Sequence, residues 1–280
     1  MCDDFVLCGK SVKPCTTKRC LLNLLTRFTD TTILGNTSTF QHEAACWWIE
    51  DLEQRTNEDL KDTALMQRYL LSLLYFSTRG GSWSNKDLWL SKSAVCDWYG
   101  IDCYQSNDMK GIINKIGLVR NNLNGILPTE IGQLLGLETL DLNMNERLSG
   151  SIPKEVKYLK ELKEFKCKNC ALSNTIPTEI LFLTELIELD INNCDVSGQI
   201  PSELALAKNL VILNVFNNSF HGTLPDISSL VHLRALDLGE NFLGGNCQSI
   251  KQLSNLGEWS FTLFFSDYVA LTLNDFQRAS

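Results

Sequence analysis

Residues 186–201 read LIELDINNCDVSGQIP, and the rest of the chain organises around that phrase. Leu186, Leu189 and Ile191 alternate as a short strand with one buried face requires. The turn position after the strand, Asn in most copies and Cys194 here, bends the chain away together with Gly198. Ile200 and Pro201 then open the next segment, where Pro fixes φ and the Glu of PSEL suits an early helical turn. The phrase recurs. Five of the six prolines stand at Pro128, Pro153, Pro177, Pro201 and Pro225, spaced 25, 24, 24 and 24 residues. Four of them open PTEI, PKEV, PTEI and PSEL. The shared frame is L-x-x-L-x-L-x-x-N-x-L-x-G-x-I-P. Its first apolar position falls at Ile113, Leu137, Leu162, Leu186, Leu210 and Leu233, with a weaker seventh copy from Leu256. One such coil cannot bury its own leucines, but stacked coils bury a continuous spine.

A period of 23–25 residues is that of leucine-rich repeats. The reading is therefore an α/β fold, a right-handed horseshoe solenoid over 112–250 with six regular coils. Its expected strands, at 116–118, 140–142, 165–167, 189–191, 213–215 and 236–238, lie in one parallel sheet. The frame also interprets FKCKNCALSNTIP at 165–177, which holds a Cys-x-x-Cys. Cys167 occupies a strand leucine position, and Cys170 and Cys194 occupy the turn-Asn position. A thiol is a small, weak donor that fits that slot. A zinc site would need a fourth ligand, and no His falls in the third or fourth repeat. The three thiols are expected to stay buried and reduced.

Composition narrows the function. The 280 residues carry 25 Lys and Arg against 33 Asp and Glu, a net charge of −8. That opposes a nucleic-acid partner, which needs clustered cations. No apolar run reaches the ~20 residues of a membrane span, and CLLNLL at 20–25 is too short for a secretory leader. Eleven cysteines, four of them at Cys2, Cys8, Cys15 and Cys20, leave the redox compartment open on counting alone. His42, His221 and His232 pair with no Ser or Cys nucleophile by motif, and no P-loop or dinucleotide fingerprint appears. The expectation is no enzyme, no cofactor and no metal.

The N-x-L-x-G-x-I-P phrase resembles the plant-type leucine-rich-repeat family, which includes receptor-kinase ectodomains and polygalacturonase-inhibiting proteins. Upstream, residues 64–103 look like that family's N-terminal cap. The matching features are a Leu-rich helix, Trp83, Trp89-Leu90 and the closing Cys96-x-Trp98-x-Gly100-x-x-Cys103. The resemblance implies a Cys96–Cys103 disulfide, whose small loop would contribute about 2–3 kcal/mol. The apolar stripe Tyr69, Leu70, Leu73, Leu74 and Phe76 suits a lid over the first coil. Trp83, Trp89 and Trp98 read as the core of that lid. Residues 31–54, with a Trp-Ile pair, resemble a leader of diatom and related algal members. The segments are then a Cys-rich leader without fixed structure at 1–30, a helical leader at 31–61, the cap at 62–111, the solenoid at 112–250 and a degenerate last repeat at 251–280. That ending, which loses the Asn-Gly-Pro grammar, reads as a partial gene product.

The concave sheet is the default binding face. Its central column is Gly117, Asp141, Lys166, Asp190, Asn214 and Asp237. A neighbouring column is Val119, Asn143, Lys168, Asn192, Phe216 and Gly239. From these, Asp141, Asn143, Lys166, Lys168, Asp190, Asn192, Asn214, Phe216 and Asp237 are the expected ligand-binding residues, for a protein, peptide or glycan. Phe216 would be the apolar anchor. Substitutions along the strip are expected to spare the fold. Asn36 and Asn217 begin glycosylation sequons, and a glycan on Asn217 would obstruct the concave face. The resemblance implies a recognition module of a receptor-like protein, outside the cell or at its surface. The alternative is a soluble inhibitor of a cell-wall polysaccharide hydrolase.

Overall fold

A computed structural model describes residues 5–7, 10–12, 38–53, 62–106, 108–245, 250–256 and 258–260. Each coil contributes one strand to a parallel sheet. These strands are β4 (Ile113–Gly117), β6 (Thr139–Asp141), β8 (Glu164–Lys166), β10 (Glu188–Asp190), β12 (Ile212–Asn214), β14 (Ala235–Asp237) and β16 (Glu258–Ser260). β3 (Ile101–Cys103) closes one edge, antiparallel to β4. The strands stack in register, so Ile116, Leu140, Phe165, Leu189, Leu213 and Leu236 form one inward row. All six are buried, and burying each contributes about 1.5–3 kcal/mol.

The strands end one residue earlier than the leucine pattern predicts, at 141 rather than 142 in the second coil. Backbone bonding nonetheless continues past their ends. Leu142 N–H donates to Lys166 O at 2.8 Å and Asn169 N–H to Asn192 O at 2.9 Å. The chain leaves strand geometry because the last strand residue is usually Asp or Asn, whose side chain starts a turn.

A second parallel sheet was not anticipated. It runs β15 (Phe242–Gly244), β13 (Ser219–Thr223), β11 (Asp195–Gly198), β9 (Ala171–Asn174), β7 (Arg147–Gly150) and β5 (Asn124–Ile126). Between the second sheet and the next coil, Pro128, Pro153, Pro177 and Pro201 each lead into a short 3-10 turn, as at Thr129–Gln133 and Thr178–Phe182.

The cap is built on α1 (Phe40–Glu53) and α2 (Asp62–Ser77). These helices pack on each other, although sequence reading put them in different segments. Trp83, Trp89 and Trp98 form a chain of rings with centroids 4.7 and 5.1 Å apart. Trp83 and Trp89 each donate their indole N–H to a backbone carbonyl. These rings are lid core, as read. Cys96 and Cys103 form a disulfide. Arg68 lies buried in the same lid, held by Asp51 at 2.8 and 3.0 Å. The lid meets the first coil where Asn124 N–H donates to Thr78 O at 3.0 Å. Gly125 beside it has φ 140°, and a Cβ there would come within 2.1 Å of Ser77 O. Only glycine permits this approach.

Within 1–30, read as a leader without fixed structure, β1 (Phe5–Leu7) and β2 (Lys10–Val12) pair antiparallel. Residues 250–256 and β16 continue the stack as a seventh coil, with β16 in register on β14. Asn36 and residues 261–280 lie outside the described residues.

Candidate recognition surface

Strand register brings Gly117, Asp141, Lys166, Asp190, Asn214 and Asp237 into one row, with neighbours about 4.8 Å apart. Four members already have a structural task. Oδ1 of Asp141 accepts the N–H of Asn143 at 3.2 Å, Oδ1 of Asp190 that of Asn192 at 3.2 Å, Oδ1 of Asn214 that of Phe216 at 3.1 Å, and Oδ1 of Asp237 that of Gly239 at 3.1 Å. Each is an Asx turn that ends a strand. The expectation that these positions can be changed without touching the fold is therefore corrected. Losing such a bond costs about 1 kcal/mol. Lys166 cannot make this turn, and Lys168 N–H is instead held by Asn143 Oδ1 of the preceding coil at 2.7 Å.

The neighbouring column is more closed than its sequence suggests. Asn192 is buried, and its Nδ2 donates to Asp190 Oδ1 at 2.6 Å. It orients the carboxylate rather than facing a partner. Phe216 is half-buried and leans across the next coil over Gly239, where an added Cβ would meet its ring at 3.0 Å. Val119 is exposed.

The sequence reading passed over a second open column. Period two from Asp141 points back to Thr139, and the register extends this to Lys115, Thr139, Glu164, Glu188, Ile212 and Ala235. The two columns meet at Lys166, whose Nζ lies 2.7 Å from Glu164 Oε2 and 3.7 Å from Glu188 Oε2. Burial pulls the Lys166 pKa down, but the Glu164 bond and the charges of Glu188, Glu164 and Asp141 outweigh it and leave it raised. Burial raises the Glu188 carboxyl against the pull of Lys166, and raises that of Asp190 against its Asn192 bonds. Four carboxylates, Asp141, Glu164, Glu188 and Asp190, thus surround two lysines, Lys166 and Lys168. The middle of the concave face is acidic.

Beneath the strip runs the turn ladder Asn121, Asn145, Cys170, Cys194, Asn218 and Asn241. Nδ2 of Asn145, Asn218 and Asn241 donates to Leu118 O, Ile191 O and Val215 O of the preceding coil at 2.9, 2.8 and 2.9 Å. The thiols aim the same way, Cys170 Sγ to Leu142 O at 3.4 Å and Cys194 Sγ to Cys167 O at 3.1 Å. The Cys167, Cys170 and Cys194 thiols are free and buried. Burial pushes Cys194 up to about 12. A thiol donates more weakly than an amide and supplies no carbonyl oxygen. Cys194→Asn should therefore stabilise the chain by about 1 kcal/mol. A higher urea midpoint at unchanged slope would show it, and a fall would mean that the slot in this coil is too small for Asn.

One lateral flank carries a further set of polar groups. Tyr104 Oη donates to Glu138 Oε1 at 2.8 Å, and Lys163 Nζ lies 2.8 Å from the same oxygen. Burial and the Glu138 bond push Tyr104 up to about 12, whereas the Lys163 bond lowers Glu138. Farther along this flank, Glu185, Ile187, Asn209, Val211, His232, Arg234 and Asn255 line a cavity of 310 Å³. This hollow is on the flank, whereas the in-register charged rows are on the strand face of the first sheet. Asn217, exposed, donates its Nδ2 to Asn193 Oδ1 at 2.8 Å. Among the described residues no helix is long and apolar enough to cross a membrane.

The Leucine Rich Repeat family model matches residues 185–206. Phytosulfokine receptor 2 of Arabidopsis thaliana is 33% identical over 69 residues, covering 24% of this chain and 7% of that protein. The polygalacturonase inhibitor of Pyrus communis is 31% identical over 78 residues, covering 28% of this chain and 23% of the inhibitor. The chain thus spans well under two thirds of these relatives. The crystal structure of a plant ice-binding protein superposes with a TM-score of 0.62 at 25% identity, over 70% of this chain and 62% of that one. The matched repeat and the in-register parallel coils make the fold a leucine-rich-repeat solenoid, and within it the chain is similar to a plant receptor and a plant inhibitor.

Proposed function

We propose that this chain is a non-enzymatic recognition module of a receptor-like protein, at the cell surface or outside the cell. Its concave face holds an extended peptide or protein segment that carries Lys or Arg. The observation behind this is the acidic centre of two in-register rows, with Glu164 and Glu188 beside Asp141 and Asp190. The similarity to phytosulfokine receptor 2 supports the receptor class. Phe216 offers an apolar contact at one end of the strip. Asn217 is retained as a glycan acceptor, and a glycan there would border the strip at the Phe216 end. The similarity to the polygalacturonase inhibitor supports a second reading, a soluble inhibitor of a cell-wall polysaccharide hydrolase.

The test uses side chains that make no Asx turn. Short fluorescein-labelled peptides of graded Lys and Arg content are titrated by polarisation against wild type, Glu188→Lys, Phe216→Ala and the convex control Lys208→Glu. Glu188→Lys is expected to weaken cationic peptides about tenfold or more. Phe216→Ala should cost over about 1 kcal/mol, and Lys208→Glu should change nothing. Loss of binding in the control but not in the concave variants would place the partner on the outer face. Inhibition of a polygalacturonase without peptide binding would favour the second reading.

A further inference from the structure

Cys167 and Cys170 sit at the two ends of a turn formed by Lys168 and Asn169, with Asn169 at φ 53°. Four-residue turns bring their end Cα atoms within about 7 Å, which overlaps the separation of about 4.4–6.8 Å that a disulfide bridges. The two Sγ atoms are 2.6 Å apart. Both are free thiols, with Cys167 Sγ donating to Cys170 Sγ, so nothing stands between the two sulfurs. Both side chains point inward, because position 167 belongs to the strand row and position 170 to the turn ladder. Cys194, one coil on, directs its Sγ at Cys167 O instead.

We propose that Cys167 and Cys170 are a disulfide-forming pair that closes a small ring across this turn in an oxidising environment, and that Cys194 is left as a free thiol. The oxidant is a small-molecule disulfide such as oxidised glutathione. One cysteine thiolate attacks a sulfur of the oxidant and releases one reduced thiol. The second cysteine thiolate then attacks the mixed disulfide and releases the other. Two protein thiols lose two protons and two electrons, and one disulfide becomes two thiols. Cys170 is the less enclosed of the pair and attacks first. Burial raises the Cys167 thiol well above its ordinary range, so the ring closes during folding, before the spine excludes the oxidant. The ring encloses Lys168 and Asn169 next to Lys166, and so ties redox state to the acidic centre of the concave face.

The experiment refolds the chain from urea in a glutathione redox buffer, blocks remaining thiols and digests after glutamate. Cleavage after Glu164 and Glu179 yields a peptide of residues 165–179 with both cysteines, and Cys194 falls in residues 189–203. The first peptide is expected two hydrogens lighter and unblocked, reverting on reduction, and the second is expected blocked. Closure of Cys96–Cys103 in the same sample shows that the buffer oxidises. Two blocked thiols on residues 165–179, or a cross-link to residues 189–203, overturns the proposal. Cys170→Ser should leave Cys167 blocked; a new Cys167–Cys194 link in that variant would also count against the assignment.

Discussion

Arg68→Ala is expected to destabilise the chain by about 3–5 kcal/mol. The guanidinium is 2% exposed and grips Asp51, itself 5% exposed, through two parallel bonds. It also donates to Ser93 O at 2.7 Å and Ser91 O at 2.5 Å, which fixes the loop that carries Trp89 into the lid. Its Cζ lies 5.4 Å from the centroid of the Trp47 ring and 5.0 Å from that of the Trp98 ring. Removing it takes the guanidinium donors away from a buried carboxylate and two carbonyls. The desolvation penalty of the buried Asp51 charge dominates the loss, not the attraction itself. The double variant Arg68→Met/Asp51→Leu should therefore recover much of the stability. Urea unfolding of all three chains decides it. A loss under about 1 kcal/mol for Arg68→Ala would mean that water reaches this pair.

Asn145→Ala is the second large effect, about 3–4 kcal/mol. Nδ2 serves Leu118 O at 2.9 Å and Leu142 O at 2.7 Å, and Oδ1 accepts the N–H groups of Asn121 and Leu123, each at 3.0 Å. Alanine strands four backbone groups in the spine, each at about 1–3 kcal/mol before relaxation. Asn145→Cys restores a weak donor, as Cys170 and Cys194 do, and should recover about half. Equal losses for Ala and Cys would show that the thiols of the middle coils contribute packing only.

The coils were legible because every buried position is written six times, so a substitution such as Cys167 for leucine reads as a variant and not as a motif. The second sheet was not, because residues such as Ser149, Ser197 and the turn glycines carry no apolar alternation. Strand ends were missed by one residue although the cause was in view, an Asp or Asn two positions before a turn. The concave face was half legible. Asp141 and Asp190 were placed on it correctly, but their turn-closing bonds were not foreseen, and Glu164 and Glu188 were overlooked on the same period-two argument. The Arg68–Asp51 pair joins two helices at 17 residues' separation, and no repeat announces it.

In the reduced chain, the thiol steps at Cys170 and Cys194 also bear on how the array carries load. In a stack where each coil touches only its neighbours, resistance to pulling is set locally, by the bonds that cross each junction. Toward both ends of the described ladder those junctions are crossed by amide donors at 2.8–2.9 Å, and in the middle by sulfur at 3.4 and 3.1 Å. Tension applied along the axis should part the array between its second and third coils first, where the sulfur contact is longer, leaving the cap with two coils and the remaining coils as two separately rupturing blocks.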